Sequence, residues 1–157
     1  MKISLIAIGK TDKSELNTLI DQYRNRLKHY VNFELLVIPD IKNVKNLSRA
    51  QQKQQEGQLI LGQLKSGDRV ILLDEKGKQL DSVGFSQFLQ KQMNSGIKRL
   101  VFVIGGPYGY SEDVYQAAHS KLSLSAMTFS HQMVRLFFTE QLYRAFTILK
   151  NEPYHHR

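Results

Sequence analysis

The stretch LVFVIGGPYGYSEDVYQAAHSKLSLSAMTFSHQ, residues 100–132, limits the folds open to this chain more than any other. Arg99 to Ile104 is a β-branched and aromatic run, long enough for a buried strand and too short for a helix. It stops at Gly105-Gly106-Pro107-Tyr108-Gly109, where glycine admits positive φ and lets another molecule approach bare backbone. Ser111 then has the character of an N-cap, with Glu112 and Asp113 opening a helix that reaches about His119. Lys121 to Ser125 alternates as a short strand does, before the mixed small and apolar residues Ala126 to His131. Two strand ends that each open into a loop predict a crevice at the carboxyl edge of an open sheet, where α/β proteins bind ligands. Plain chain reversal is the simpler account of such a glycine turn, and it needs no ligand.

The chemistry of a ligand there is narrowed by exclusion. The glycines read GGxxG rather than GxGxxG, no acid follows a fresh strand about 20 positions on, and GK[ST] is missing. An acidic helix start would repel phosphates. The crevice therefore suits an uncharged or cationic adenosine-like ligand. No metal is expected, because the chain has no cysteine and its five histidines lack ligand spacing.

The 157 residues fit a single domain, 1–157, and the lack of cysteine fits a cytoplasmic location. The apolar run at the start is too short for a signal peptide, and no stretch approaches the ~18 apolar residues of a membrane span. A formal net charge of +8 points to a polyanionic partner, most simply nucleic acid, against the alternative of a merely basic surface.

Strands are expected at Lys2 to Ile8, Phe33 to Ile38 and Arg69 to Asp74. A helix capped by Asp12 or Ser14 follows the first, with Leu16, Leu19, Ile20, Tyr23 and Leu27 on one face. Residues 41–55 carry Lys42, Lys45, Arg49 and Lys53 with no acid before Glu56, which reads as a loop leading into a helix through Leu59, Ile60 and Leu64. That segment is either a phosphate-contacting flap or a solvated helix face. Glu75 to Lys78 reads as a turn, and Asp81 or Ser82 caps a helix bearing Phe85, Phe88, Leu89 and Met93. Strands alternating with helices at this pace predict an α/β fold, a mostly parallel sheet with helices on both faces. The last helix, His131 to Lys150, is apolar on more than one face, so a second copy of the chain is its expected partner in a homodimer. Within it Glu140 and Arg144 form an i,i+4 pair, and Arg135 stands alone. Pro153 ends the helix and leaves Tyr154, His155, His156 and Arg157 on a short tail.

Strand–IGGPYG, LSLSAMTFSHQMVR, EQLYRA and a terminal EPYH, with the MKI start and Glu56-Gly57, together resemble the RlmH family of SPOUT methyltransferases over essentially the whole chain. The resemblance implies methyl transfer from S-adenosylmethionine to N3 of a pseudouridine in large-subunit ribosomal RNA. It also implies a homodimer and a C-terminal trefoil knot, which connection rules alone would argue against. Carried over by position, the cofactor site is Leu73, Gly105, Leu124, Ser125, Ala126, Met127, Thr128 and Phe129, with adenine against that loop and Leu73. The tail departs from the family pattern, since His156 stands where a basic residue follows Tyr-His and Arg157 comes one place later.

Removing the N3 imide proton calls for a base, and His131 and His155 are the two candidates. His131 has an equally simple structural reading, a helix-start residue bonded to its loop. Tyr154 suits stacking on a base and Arg157 suits a phosphate. A SPOUT enzyme for another RNA such as tRNA, and a non-catalytic ribosome-binding protein, are the rival readings.

Overall fold

Period-two alternation of large apolar residues decides how the central strands face. In the computed structural model, which describes residues 1–156, β4 (Arg99–Ile104) is buried along its whole length. Leu100, Phe102 and Ile104 enter one layer of the core, Val101 and Val103 the other. A strand buried on both faces belongs inside a parallel sheet. β4 lies there, between β1 (Lys2–Ile8) and β3 (Arg69–Gln79). β2 (Asn32–Ile38) flanks β1 and β5 (Ser120–Ser123) flanks β3, with every pairing parallel.

Helices α1 (Ser14–Leu27), α3 (Ser82–Asn94) and α5 (His131–Leu149) pack together on one face. α2 (Arg49–Gln63) and α4 (Glu112–Ala117) cover the other. The α/β class and the helices on both faces are as the strand–helix alternation predicts. No helix among the described residues is long and apolar enough to cross a membrane.

The apolar surplus of α5 is largely met inside the chain. Phe138 is fully buried, its ring 4.7 Å from that of Phe102 and 6.2 Å from that of Phe85. Leu142 and Ala145 are equally buried between α1 and α3. What remains on the outside is Met133 and Phe137, at 36% and 37% exposure. Arg135, an isolated charge in the sequence, is buried: it donates to the carbonyl of Ile8 (2.8 Å) and to Thr11 Oγ1 (3.2 Å), tying α5 to the end of β1.

Three local expectations are corrected. α1 is preceded by Lys13 without a side-chain cap, so neither Asp12 nor Ser14 serves, and Leu19 of its supposed inner face is exposed. α2 starts at Arg49, far earlier than its apolar residues suggest. Ser48 caps it through a capping box, accepting from the Gln51 amide (3.1 Å) while Gln51 Oε1 accepts from the Ser48 amide (2.8 Å). The loop expected over residues 41–55 is therefore short, with Lys53 already one turn into the helix.

The third correction shapes the site. Glu75 to Lys78 is not a free turn but part of β3. Leu122 of β5 pairs with Leu73 and again with Lys78. Two strands cannot occupy one side of the same residue, so residues 74–77 cross over β5 and continue along its far flank. A Cβ built on Gly77 would lie 2.7 Å from the Lys121 carbonyl carbon and from the Leu122 nitrogen, so only glycine fits at the crossing. General connection rules disfavour such a crossing.

Gly77→Ala is expected to lower the melting temperature by roughly 3–10 °C, the overpacking cost of a methyl forced against backbone. Scanning calorimetry checks this, and an unchanged melting temperature would mean the crossing is looser than described.

Candidate active site

The carboxyl ends of β3 and β4 open into a cleft of about 430 Å³. Its walls come from the end of β3, from the glycine turn after β4, and from the loop between β5 and α5. Leu73, Gly105, Leu124, Ser125, Met127, Thr128, Phe129 and His131 all line it. Ala126 belongs to the same loop but is not among the lining residues. The floor is apolar through Leu73, Ile104 and Val134, while Asp74 and Glu75 bring two carboxylates to one wall.

Each wall has its own support. The Ser125 hydroxyl accepts from the Met127 amide (3.0 Å), and Ser123 Oγ donates to the Ser125 carbonyl (2.9 Å). Thr128 Oγ1 donates to Glu75 Oε2 (2.9 Å), joining the loop to the segment that crosses β5. The Phe129 ring lies 5.0 Å from Phe137, and Ser130 caps α5 by accepting from the Met133 amide. Met127, 74% exposed, stands at the open mouth.

Tyr110 is the support that sequence reasoning missed. Its buried hydroxyl accepts from the Gly105 amide (3.1 Å) and lies 2.7 Å from the carbonyls of both Leu73 and Val103. A phenol has one proton, so the two carbonyls share it, and burial holds the group protonated far above its ordinary range. A Cβ on Gly105 would meet the Tyr110 ring at 3.1 Å. The bare Cα of Gly105 thus makes room for the Tyr110 ring, while its backbone still lines the cleft.

Glu56 was also missed, although it is the one acid in a long stretch of cations and amides. It is 4% exposed, and its carboxylate lies against Gly106 so closely that any Cβ there would overlap it. Oε1 has no hydrogen-bond partner among the described residues, and Oε2 has only a 3.5 Å contact from Gln52. Burial pushes the carboxyl above its usual range, against the lowering effect of Gln52 and of the nearby His131 imidazole. Gly57 beside it packs on Ser111, which allows α2 to approach α4.

His131 and the tail are separated. His131 Nδ1 lies 2.6 Å from the Gly105 carbonyl, and because a carbonyl only accepts, Nδ1 carries the proton in this pairing and Nε2 keeps its lone pair. Tyr154 folds back on its own α5, donating to Glu140 Oε1 (2.8 Å), with its ring 4.7 Å from Tyr143 and 4.7 Å from the Arg144 guanidinium. His155 Nδ1 lies 3.3 Å from Arg144 Nη1, and Glu140 pairs with Arg144 at 2.6 Å. Neither Tyr154 nor His155 lines the cleft of its own chain. Arg157 lies outside the described residues.

Comparison with known proteins agrees with this architecture. The family model described as "Predicted SPOUT methyltransferase" matches residues 1–155. The chain is 68% identical over 157 residues to "Ribosomal RNA large subunit methyltransferase H" of Flavobacterium johnsoniae, covering all of both chains. It is 65% identical to the protein of that name from Parabacteroides distasonis over 156 residues, 99% of each. Among solved structures, a probable methylase family protein from Haemophilus influenzae superposes with a TM-score of 0.52 at 12% identity, over 95% of this chain and 66% of that one. That last likeness concerns the fold alone.

Glu56 sets a pH dependence of stability. Its raised folded-state pKa means stability is fullest below the ~4.3 of an unfolded glutamate and declines as pH rises through the folded value. Glu56→Gln removes that decline. The variant is expected to melt close to wild type at pH 4 and above it at pH 7. Equal melting temperatures at both values would show the carboxyl to be well solvated.

Proposed function

The chain belongs to the SPOUT methyltransferase family, and on that premise we propose that it methylates N3 of a pseudouridine in large-subunit ribosomal RNA, with S-adenosylmethionine as methyl donor. The name shared by relatives at 65–68% identity over the full chain carries the substrate class. The cleft supports the donor: carboxylates at Asp74 and Glu75 that outnumber Lys76, the one lining cation among the described residues, an apolar floor, and a glycine turn that offers bare backbone. When bound, the cofactor supplies an electrophilic methyl on a sulfonium. The loop residues Leu124, Ser125, Ala126, Met127, Thr128 and Phe129, with Leu73 and Gly105, are proposed to hold it.

The chain's remaining task is to align N3 with that methyl, exclude water and take the imide proton. His131 is the better placed base, because Gly105 orients its ring and leaves Nε2 free at the cleft wall. His155 is less suited in this arrangement, since its Nδ1 faces the Arg144 guanidinium, which can only donate. The tail then serves a second role. In a homodimer, Tyr154, His155 and Arg157 of one protomer would close the RNA side of the other's cleft.

The homodimer itself is supported by an apolar recess of about 370 Å³ beside the cleft, sharing Leu124 and Phe129 with it and edged by Phe137 and Glu140. This face, and not the core residues Phe138 and Leu142, is the proposed contact with a second copy. Acting on ribosomal RNA places the protein with ribosomes, in the cytoplasm.

A methyl-transfer assay on ribosomes with and without pseudouridine in the target loop tests the function. Transfer is expected only to pseudouridine-bearing ribosomes, and equal transfer to tRNA would overturn the substrate. Deleting residues 154–157 is expected to lower transfer by about 10²-fold through lost alignment of the RNA base, with cofactor affinity nearly intact. Wild-type rates without those residues would show that the tail does not close the cleft. Phe137→Asp, a change at a partly exposed site, should give a folded monomer where wild type sediments as a dimer at micromolar concentration. A wild-type monomer would refute the assembly.

A further inference from the structure

One strongly charged surface remains unused. Between Asp40 and Glu56 the chain carries Lys42, Lys45, Arg49 and Lys53 and no acid. Lys42, Lys45 and Arg49 are exposed and Lys53 half-buried, while Glu56, which ends the run, is buried and adds no charge to this surface. Among the described residues none of these four cations forms a salt bridge; the pairs present are Lys2–Glu34, Arg24–Asp21, Arg99–Asp68 and Arg144–Glu140.

Local stability does not account for them. A cation in the first turn of a helix opposes the helix dipole, and α1 and α4 carry acids there where α2 has none. Arg49 and Lys53 are four residues apart on one helix, so they share a face and repel. The amides Asn43, Asn46, Gln51 and Gln54 fill the same surface, with Val44 its exposed large apolar side chain. Such a surface suits phosphate and sugar contacts and lacks the apolar face that a lipid surface requires.

Its position relative to the cleft is fixed by one contact. The Arg49 guanidinium stands 5.1 Å from the centre of the Tyr108 ring. Tyr108 lines the cleft and is 42% exposed, so it belongs to the mouth. The cationic strip therefore begins at the rim of the cleft and runs outward along α2 and the turn before it.

We propose that this strip docks the phosphate backbone of the RNA flanking the target nucleotide, with Tyr108, held by Arg49, as the post at which the strand turns into the cleft. The inference rests on the reading of the protein as an RNA methyltransferase and names where that RNA is gripped. Lys42, Lys45 and Lys53 contact phosphates, and the exposed ring of Tyr108 offers a stacking face to an unpaired base.

Two triple variants of the full chain test it. One replaces Lys42, Lys45 and Lys53 by Gln. The other replaces Lys65, Lys91 and Lys98, exposed lysines remote from the cleft mouth, and so removes the same net charge. Affinity for a ribosomal RNA stem-loop is measured against potassium chloride concentration, with KM and kcat on ribosomes and cofactor affinity alongside. The strip variant should raise Kd and KM at least ~10-fold, leave kcat within about 2-fold and cofactor affinity unchanged, and flatten the salt slope by about 0.7–0.9 per lost contact. The remote variant should change KM by less than about 2-fold. Equal losses in both variants would overturn the proposal, since net charge alone would then govern binding; so would a strip variant that binds like wild type. Stem-loop affinity is read without turnover, so the docking surface is judged even if wild type methylates another RNA. A wild type that binds no RNA at all overturns both the strip and the reading beneath it. Arg49→Gln and Tyr108→Ala give a second measurement: each should raise KM about 3-fold or more, and Tyr108→Phe should restore it.

Discussion

The cleft depends on one phenol oxygen. Tyr110 joins the end of β3 through Leu73, the end of β4 through Val103, and the glycine turn through the Gly105 amide. These are the points where two parallel strands stop hydrogen-bonding and must splay to leave a ligand space. Buried carbonyls and amides without partners would each cost roughly 1–3 kcal/mol, so splayed strand ends need a donor and an acceptor at the same spot. A hydroxyl supplies both. A side chain at Gly105 would press on the ring, with its Cβ 3.1 Å from the nearest ring carbon.

The same edge of the sheet collects the polar groups that break the rules of burial. Among the described residues Glu56 Oε1 lies without a partner against Gly106, and Arg135 crosses from α5 to the end of β1 with its Nε unpartnered. The core layer under α1, α3 and α5 is apolar and interlocked through Phe85, Phe102 and Phe138. Local sequence rules give way where the chain prepares a site, and the packed layers hold that end in place.

Legibility in the sequence follows the range of the interactions. β4 and its glycine turn were readable because burial on both faces leaves an unbroken apolar run, and Ser111 because capping is local. The lining of the cleft by the residue 124–129 loop was anticipated from family likeness and from strand ends together. Tyr110 was not, because nothing local distinguishes an aromatic that reaches back to a strand distant in sequence. The start of α2 was hidden by its lack of apolar residues, although Ser48 and Gln51 carried the capping signal. The folded-back tail was hidden because Tyr154 finds Glu140 and Arg144 only once Pro153 has turned the chain.

The crossing at Gly77 has a consequence beyond the site. A strand at the border of a sheet exposes a row of unpaired amides and carbonyls, which invites another chain to add to it. β5 is short and would be such a border, yet Lys78 and Gln79 return beside it and pair with Leu122 and Ser123. The sheet is in effect hemmed at that end by its own fabric. β2 is the border at the other end, and there Glu34 is engaged by Lys2 and Ser4, so that a charge pair marks that flank.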